Sequence, residues 1–467
     1  MTESNLEALL NARGNPVTML RNSPTDAFVY PVVATEFSNW RDEQYAWRHN
    51  VVLFDQSHHM CDLMVEGPDA AQLLCGLAVN SFAGFRPGKA KQFVACSPSG
   101  HVIGDNIMFY LAENQILLVG RAPSINWVEY RAQISGLNVT TRKDMSSPNR
   151  PNGHPVLRER YRYQIQGPFA PLLLEKLNGG PIQEIKFFNL GHFRIDGQEV
   201  HALRHGMGGV PGLEFWGPYE DRDRIKAIIM EAGEEFGIRA VGSRAYSTSA
   251  VESGWIPSPL PAIYTDPELQ GYREWLPATG YEATAPIGGS FVSDNIEDYY
   301  VTPYQIGYGP FVKFDHDFVG RKALEAIAEA PQRRKVSLVW NAEDVGRVQN
   351  SLLRPTGPNY KYIEMPLANY AASNYDRVER HGRLVGFSMF SGYLFNERSF
   401  VSLATVDGDL EEGDEVVITW GEENGGTAKS TVEMHTQTTI RATVGPVPIS
   451  KLAREDYASG WRNRAAG

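Results

Sequence analysis

The chain has 467 residues, 42% of them hydrophobic, and 44 basic against 55 acidic side chains give a net charge of −11. That length and composition exclude a disordered chain and imply roughly two to four folded domains. An acidic balance without a basic stripe argues against nucleic acid as a partner, and an acidic substrate would need a local basic site.

Three cysteines, Cys61, Cys75 and Cys96, are odd in number and form no CxxC pair, which argues against a disulfide framework or structural zinc and fits a reducing compartment. Met1 to Asn5 lacks the basic region and apolar core of a signal peptide, and no apolar run nears the roughly 18 residues of a membrane span. A soluble cytoplasmic protein is expected.

In chain order, Ser38 is expected to cap a helix from Asn39 to about His49, ended by Asn50. Val51 to Phe54 reads as a buried strand, and Cys61 to Glu66 as a second. Gly67-Pro68-Asp69 turns into a helix through Leu73, Leu74 and Leu77. Lys91 to Cys96 is a strand, and Val102 to Leu111 with Gln115 to Val119 reads as a hairpin. Gly120-Arg121-Ala122-Pro123-Ser124 then enters a helix carrying Ile125, Val128 and Ala132. The element Gly67-Pro68-Asp69-Ala70 returns 100 residues later as Gly167-Pro168-Phe169-Ala170, again between a strand and a helix. Leu213 to Pro218 and the helix through Ile225, Ile229 and Phe236 mirror Leu117 to Arg121 and its helix. Two α+β lobes related by duplication are therefore expected, with a ligand cleft where they meet. The boundaries are set at 1–145 for the first lobe, 146–330 for the second, with a long Pro- and aromatic-rich loop at 253–300, and 331–467 for a C-terminal antiparallel β-barrel domain. Short strands at Val336 to Trp340, Leu384 to Met389, Phe400 to Thr405 and Val416 to Trp420 support the last.

The stretch His205 to Pro218 combines a glycine-rich turn with a short apolar strand in which one carboxylate, Glu214, stands among Leu213, Phe215 and Trp216. A carboxylate in such a run is costly to bury without a donor. A flat heterocycle with paired N–H groups, such as a pterin, would satisfy it while aromatics cover the ring face; an edge-strand Glu turned to water is the alternative. The glycines lead into a strand, so this is not a dinucleotide-binding turn, which must open a helix.

Several motifs together resemble the folate-dependent aminomethyltransferase superfamily, typified by the T-protein of the glycine cleavage system. Phe54-Asp55-x-Ser57-His58-x-Met60 is similar to its Phe-Asp-x-Ser-His-Met. Gly100 to Asp105 is similar to Gly-Gly-Ile-x-Asp-Asp, with Gly104 departing at the first Asp and Asp105 on the second. Gln166-Gly167-Pro168 matches Gln-Gly-Pro, and Gly212-Leu213-Glu214 matches Gly-Phe-Glu. Arg244-Ala245-Tyr246, Glu252 to Pro261 and Gly288 to Tyr300 resemble the branch of tetrahydrofolate-dependent vanillate, 3-O-methylgallate and syringate O-demethylases. The resemblance covers nearly the whole chain. It implies the two folate-binding lobes and barrel, tetrahydrofolate as methyl acceptor without a metal, and a small aromatic carboxylic acid as methyl donor. Glu214 would hold the pterin, with Gln166, Trp255, Trp216 and Val119 as further cofactor-binding candidates, and Asp105 would face the folate's reacting end. Tyr30 and Gln56 correspond to substrate-pocket positions.

An aryl methyl ether transfers its methyl only if the departing phenolate is protonated or stabilised. The best-matched donor has a pKa of about 10, which describes a tyrosine, and the resemblance puts the catalytic tyrosine at Tyr246. Arg121, at a strand-to-helix junction, is suited to clamp a carboxylate in bidentate fashion, with His59 as a second donor. The pair His58-His59 lacks the spacing of a metal site, and one of the two is expected to pack structurally. The sequence does not fix which methoxybenzoate is preferred, although syringate is favoured, nor the oligomeric state. The alternatives are an aminomethyltransferase, a sulfonium demethylase, or a folate-binding protein without methyl transfer.

Overall fold

A computed structural model describes residues 3–25, 32–145, 157–427 and 429–455. Two short helices, α1 (Leu6–Arg13) and α2 (Pro16–Arg21), are followed by α3 (Trp40–His49). Asn39, not Ser38, caps α3: its side chain accepts from the amides of Arg41 and Asp42. Ser38 instead presents its amide to the buried Glu43, which also accepts from Phe37 and Gly242. The cap expected from sequence was one residue early because both residues are good N-caps and only one side chain reaches the first turn.

The first lobe follows as β2 (Cys61–Glu66), which comes after β1 (Val52–Asp55), then α4 (Ala70–Cys75), β3 (Ala90–Cys96), β4 (Val102–Ala112), β5 (Gln115–Gly120), α5 (Ala122–Ile134) and β6 (Thr140–Asp144). The second repeats the plan: β7 (Arg160–Gln166), α6 (Ala170–Asn178), β8 (Leu190–Ile195), β9 (Gln198–Leu203), β10 (Gly212–Pro218), α7 (Arg222–Gly233) and β11 (Arg239–Val241). The sheets run β3-β4-β5-β2-β6 and β8-β9-β10-β7-β1-β11. The orders coincide except that β1 slips between β7 and β11. The repeated Gly-Pro turns share one constraint: Gly67 and Gly167 have φ of +136° and +132°, and a Cβ on either would lie 2.2 or 2.4 Å from the carbonyl of Asn138 or Asn50. Only glycine fits such a crossing.

Two features cut across the expected lobe boundaries. Strand β1, from the first 60 residues, belongs to the second sheet. The 253–330 stretch packs on the first lobe, where Ile256, Leu260, Tyr272, Tyr299 and Leu324 share a core with Leu63, Phe93 and Leu118. The loop at 253–300 is not slack but carries α9 (Gln270–Trp275) and α10 (Tyr281–Thr284), preceded by α8 (Ser243–Ser253). The short pair β12 (Ile287–Gly288) and β14 (Ser373–Asn374) joins it to the C-terminal domain. After α11 (Arg321–Ala328), a closed barrel forms from β13 (Arg334–Trp340), β15 (Asp376–Arg380), β16 (Arg383–Leu394), β17 (Ser399–Val406), β18 (Glu415–Trp420) and β19 (Thr438–Gly445), with α12 (Ala342–Ser351) outside it. No helix among the described residues is long and apolar enough to cross a membrane.

The two lobes' sheets meet face to face. Met64, Phe109, Leu117 and Val119 from one and Leu203 and Trp216 from the other form one buried cluster. Beside this seam, where β5, β7, β10 and α8 converge with the barrel, the described residues enclose a cavity.

Candidate active site

The cavity measures about 460 Å³, in the range of small-molecule sites. Of the residues singled out from sequence, Tyr246, Asp105, His59, Arg121, Gln56, Glu214, Trp255 and Val119 line it. Gln166 and Trp216 do not, and Tyr30 lies outside the described residues.

Glu214 reaches the wall because β10 alternates. Leu213 and Phe215 enter the second lobe's core, while Glu214 and Trp216 face the other lobe. Trp216, two residues on, is already inside the seam, edge-on to Phe109 with centroids 5.3 Å apart. It therefore packs behind the site rather than covering a ring in it. Gln166 sits at the far end of β7, buried, where its Nε2 donates to the Val210 carbonyl at 2.8 Å and fixes the glycine-rich turn.

The donor that Glu214 requires comes first from the protein itself. Arg162, on β7, donates to Glu214 Oε1 at 2.7 Å and reaches Asp62 Oδ2 at 3.5 Å. Its guanidinium lies over Phe109 and Trp216, 5.2 and 5.4 Å from the ring centroids. Arg158 pairs with Asp62 at 3.5 Å and with Asp144 at 3.0 Å. All five charged groups are buried. Two guanidinium groups stand against three carboxylates, so the set carries one excess negative charge, and Glu214 is the member on the cavity wall. Its second oxygen is 3.8 Å from His205 Nδ1, too far for a hydrogen bond. A ligand edge with N–H donors fits this acceptor, as a pterin ring would supply. Arg162 was missed in the sequence, yet the signal was there: Arg160, Arg162, Gln164 and Gln166 alternate with Tyr161, Tyr163 and Ile165, a strand with a polar face. Burial of both faces only follows from the lobe packing.

Tyr246 lies on α8, its ring edge-on to Phe54 and His59 at 5.5 and 5.2 Å. The hydroxyl is 3.0 Å from His59 Nε2, and Gln56 Nε2 donates to it at 3.3 Å. Burial, aided by the charges of Arg121, Arg162 and Arg158, pushes the His59 pKa down to about 3, so the ring is neutral. Its Nδ1 is 3.0 Å from the Gln56 carbonyl. A carbonyl only accepts, so the ring proton sits on Nδ1 and Nε2 is the bare acceptor. Tyr246 is thus the donor in this pair. His58 turns away and meets Tyr219 edge-on at 5.9 Å, so His59 is the histidine of the pair that faces the cavity. No cluster of three or more potential metal-binding His, Cys, Asp or Glu side chains occurs among the described residues.

Arg121 precedes α5 and lines the cavity beyond Gly120. A Cβ at Gly120 would meet that of Asn106 at 2.3 Å, so the strand pair closes only with glycine here. The Arg121 guanidinium lies close enough to the Tyr281 hydroxyl to oppose the upward push of burial on its pKa, and its charge is felt by both His59 and Asp105. Asp105 accepts from Gln92 Nε2 at 2.9 Å, Trp255 Nε1 at 3.2 Å and the Tyr308 hydroxyl at 2.6 Å. Burial raises its pKa, opposed by these donors and by Arg121. Tyr281, Tyr308 and Gln92 had no sequence signal beyond their chain neighbourhood. Ser247 and Ser253 are spent on the carbonyls of Ser243 and Ser249 within α8, so neither is set up as a nucleophile. Glu252 is buried off the cavity, bonded to Trp47 Nε1 at 2.9 Å and paired with Arg48.

The comparisons with known proteins agree with this architecture of two duplicated lobes flanked by a closed barrel. The profile of the GCVT N-terminal domain matches residues 24–258, and the chain belongs to that family. The crystal structure of the glycine cleavage system aminomethyltransferase T from Bartonella henselae shares the fold, with a TM-score of 0.60 at 19% identity over 94% of this chain and 98% of that one. Among curated relatives, the syringate O-demethylase of Sphingobium sp. (strain NBRC 103272 / SYK-6) is 47% identical over 99% of both chains. The sesamin methylene transferase of Sinomonas sp. (strain No.22) is 31% identical over 84% of each. The protein is an enzyme, a methyltransferase of this folate-dependent class.

Proposed function

We propose that the protein removes the methyl group of a methoxybenzoate, in the first place syringate, and passes it to tetrahydrofolate. The observation that carries this reading is the Tyr246–His59 pair: a tyrosine whose proton is held in the cavity by a neutral, tautomerically fixed histidine. The likeness at 47% identity to a syringate O-demethylase supports the substrate class.

Tetrahydrofolate supplies the N5 amine that accepts the methyl group. Glu214, held by Arg162, takes the pterin's N–H edge, and Val119 and Trp255 line its berth. Arg121, steadied by Tyr281, takes the benzoate carboxylate in a charge-assisted pair. Gln56 bonds Tyr246 and Gln164, which ties the acid's surroundings to the glycine-rich turn. As the methyl–oxygen bond breaks, its electron pair goes to the phenolic oxygen. Tyr246 turns its proton from His59 to that oxygen. The proton displaced from the amine is taken by Asp105 and, through solvent, replaces the one Tyr246 gave up, so the sum is ether plus tetrahydrofolate to phenol plus 5-methyltetrahydrofolate. Proximity alone can lower the barrier by up to ~7–11 kcal/mol.

The test is direct. The protein is incubated with tetrahydrofolate and syringate, vanillate or 3-O-methylgallate, and the demethylated phenol and 5-methyltetrahydrofolate are followed by chromatography. Equal amounts of both products are expected, and folate binding without either product from any of the three acids refutes the reading.

A further inference from the structure

The cavity holds one more cation, to which the proposed methyl transfer gives no task. Lys335, near the start of β13 in the barrel, lines the cavity. Its ammonium donates to the Gly254 carbonyl at 2.6 Å. Among the described residues no carboxylate oxygen comes within the 4.0 Å of an ion pair. Space for it is reserved: Gly307, at φ +87°, has no side chain where a Cβ would lie 2.6 Å from Lys335 Cε and 2.8 Å from Nζ. Gly254 is the left-handed C-cap of α8, at φ 74°, and the next residue is Trp255, a donor to Asp105.

A single hydrogen bond to a carbonyl does not require a charge. A neutral amide would satisfy Gly254 without the cost of desolvating an ammonium. That cost is visible, since burial pushes the Lys335 pKa down to about 8, and the opposing influence is the charge of Asp105. The geometry brings the two together, since the ammonium is bracketed by Gly254 and Gly307, and the residues that follow them, Trp255 and Tyr308, both donate to Asp105; a positive charge so placed favours the ionised form of Asp105. This matters because the three side chains that bond Asp105 (Gln92, Trp255 and Tyr308) are all neutral, and the other cation it feels, Arg121, is the one assigned to the substrate carboxylate. Once a benzoate pairs with Arg121, that support is cancelled and Lys335 is the positive charge left.

We propose that Lys335 is a positioning residue which places a positive charge near Asp105, keeping it a carboxylate until it takes the amine proton, and fastens the C-cap of α8 to the barrel. The role given to Asp105 rests on the proposed demethylation; the electrostatic link between the two residues does not.

The test uses the full chain with Lys335→Met, Lys335→Gln and Lys335→Arg. Without any ligand, the titration of Asp105 is followed by the carboxyl ¹³C shift of aspartate-labelled protein, assigned with Asp105→Asn. The Met and Gln variants are expected to titrate about one pH unit higher than the parent, and the Arg variant near it. In turnover, the acid limb of kcat/KM moves up by the same amount. The Gln variant, which keeps a donor for Gly254, retains the parent's melting midpoint, so the shift does not reflect a loosened fold. An Asp105 midpoint unchanged in both the Met and Gln variants overturns the proposal. A shifted midpoint in a protein that demethylates nothing overturns the proposed function and leaves the Lys335–Asp105 link standing.

Discussion

Replacing Tyr246 with Phe removes one oxygen and leaves the site's shape. The ring remains edge-on to Phe54 at 5.5 Å and 73°, and to His59 at 5.2 Å and 72°. What disappears is the hydrogen bond to His59 at 3.0 Å and the one received from Gln56 at 3.3 Å. The loss of stability is about 2 kcal/mol, at an ordinary net worth of about 1 kcal/mol for each of the two bonds. The loss of rate is far larger, because a positioned general acid is worth about 10²–10⁴-fold, or about 3–5 kcal/mol of barrier. Folate affinity should not change, since the lost hydroxyl bonds neither Glu214 nor Arg162 but His59 and Gln56. Single-turnover formation of the phenol, calorimetric titration with tetrahydrofolate and a thermal melt separate the three quantities. A Phe variant that turns over within about three-fold of the parent removes Tyr246 as proton donor. A variant whose folate affinity falls as far as its rate shows that the hydroxyl builds the site rather than serving the reaction.

Other perturbations test the remaining parts. Arg121→Ala should raise KM for methoxybenzoates at least about ten-fold, as expected for a lost charge-assisted pair, while leaving a neutral guaiacol ether nearly unaffected; steady-state kinetics on the two classes decide it. Glu214→Gln should weaken folate binding by up to about 100-fold. It should do so with little change in unfolding free energy, since it leaves two guanidinium groups facing two buried carboxylates; calorimetry and denaturant unfolding give both. Gly120→Ala should destabilise the first lobe by about 3 kcal/mol, because its Cβ would lie 2.3 Å from that of Asn106. The pH dependence of stability has its source in His59. Its native pKa is lowered to about 3 from an ordinary 6.5, so between these values the unfolded chain binds a proton that the native chain refuses. Its contribution to stability is therefore complete above about pH 6.5 and is lost as pH falls towards 3. His58, held down to about 4, acts in the same direction. The slope of melting midpoint against pH in this window should be shallower in His59→Gln, and an unchanged slope would show that His59 is not buried neutral.

Much of this was legible in the sequence because the duplication repeats its punctuation. The Gly-Pro turns at 67 and 167 mark equivalent strand-to-helix joints, and the strands at Cys61–Glu66 and Gln115–Gly120 stand where periodicity places them. The fate of β1 was not legible: Val52 to Phe54 pair with β7 and β11, far along the chain, and nothing local distinguishes a strand that stays in its own lobe from one that crosses. The same limit governs the site. Tyr246, Arg121, Asp105 and Glu214 were found as motif positions, but the partners that give them their protonation states come from elsewhere: Arg162 from β7, Tyr308 from the segment after the long loop, and Lys335 from the barrel. Trp216 shows the converse error. It shares a strand face with Glu214, yet the sheet-to-sheet seam begins between the two residues, and a sequence contains no sign of where one sheet starts to cover another.

The seam also explains why the site's acidic cradle survives burial. Asp62 and Asp144 belong to the first lobe, Arg162 and Glu214 to the second, and Arg158 stands at the entry to β7. Neither lobe alone has a balanced set: the first contributes carboxylates, the second both guanidinium groups. Docking the lobes leaves the set with one excess negative charge, and Glu214, paired to Arg162 through one oxygen only, is the member at the edge of the cavity. Such paired burial is weak as a source of stability, because desolvation offsets most of the attraction, but breaking one member is costly. The arrangement thus fixes the register of the two lobes at the point where they hold a ligand, and it leaves a single acceptor whose need is met when a donor-bearing ring arrives. Arg162 serves both tasks, so its loss should weaken lobe docking and folate binding together, whereas loss of Glu214 should affect binding alone.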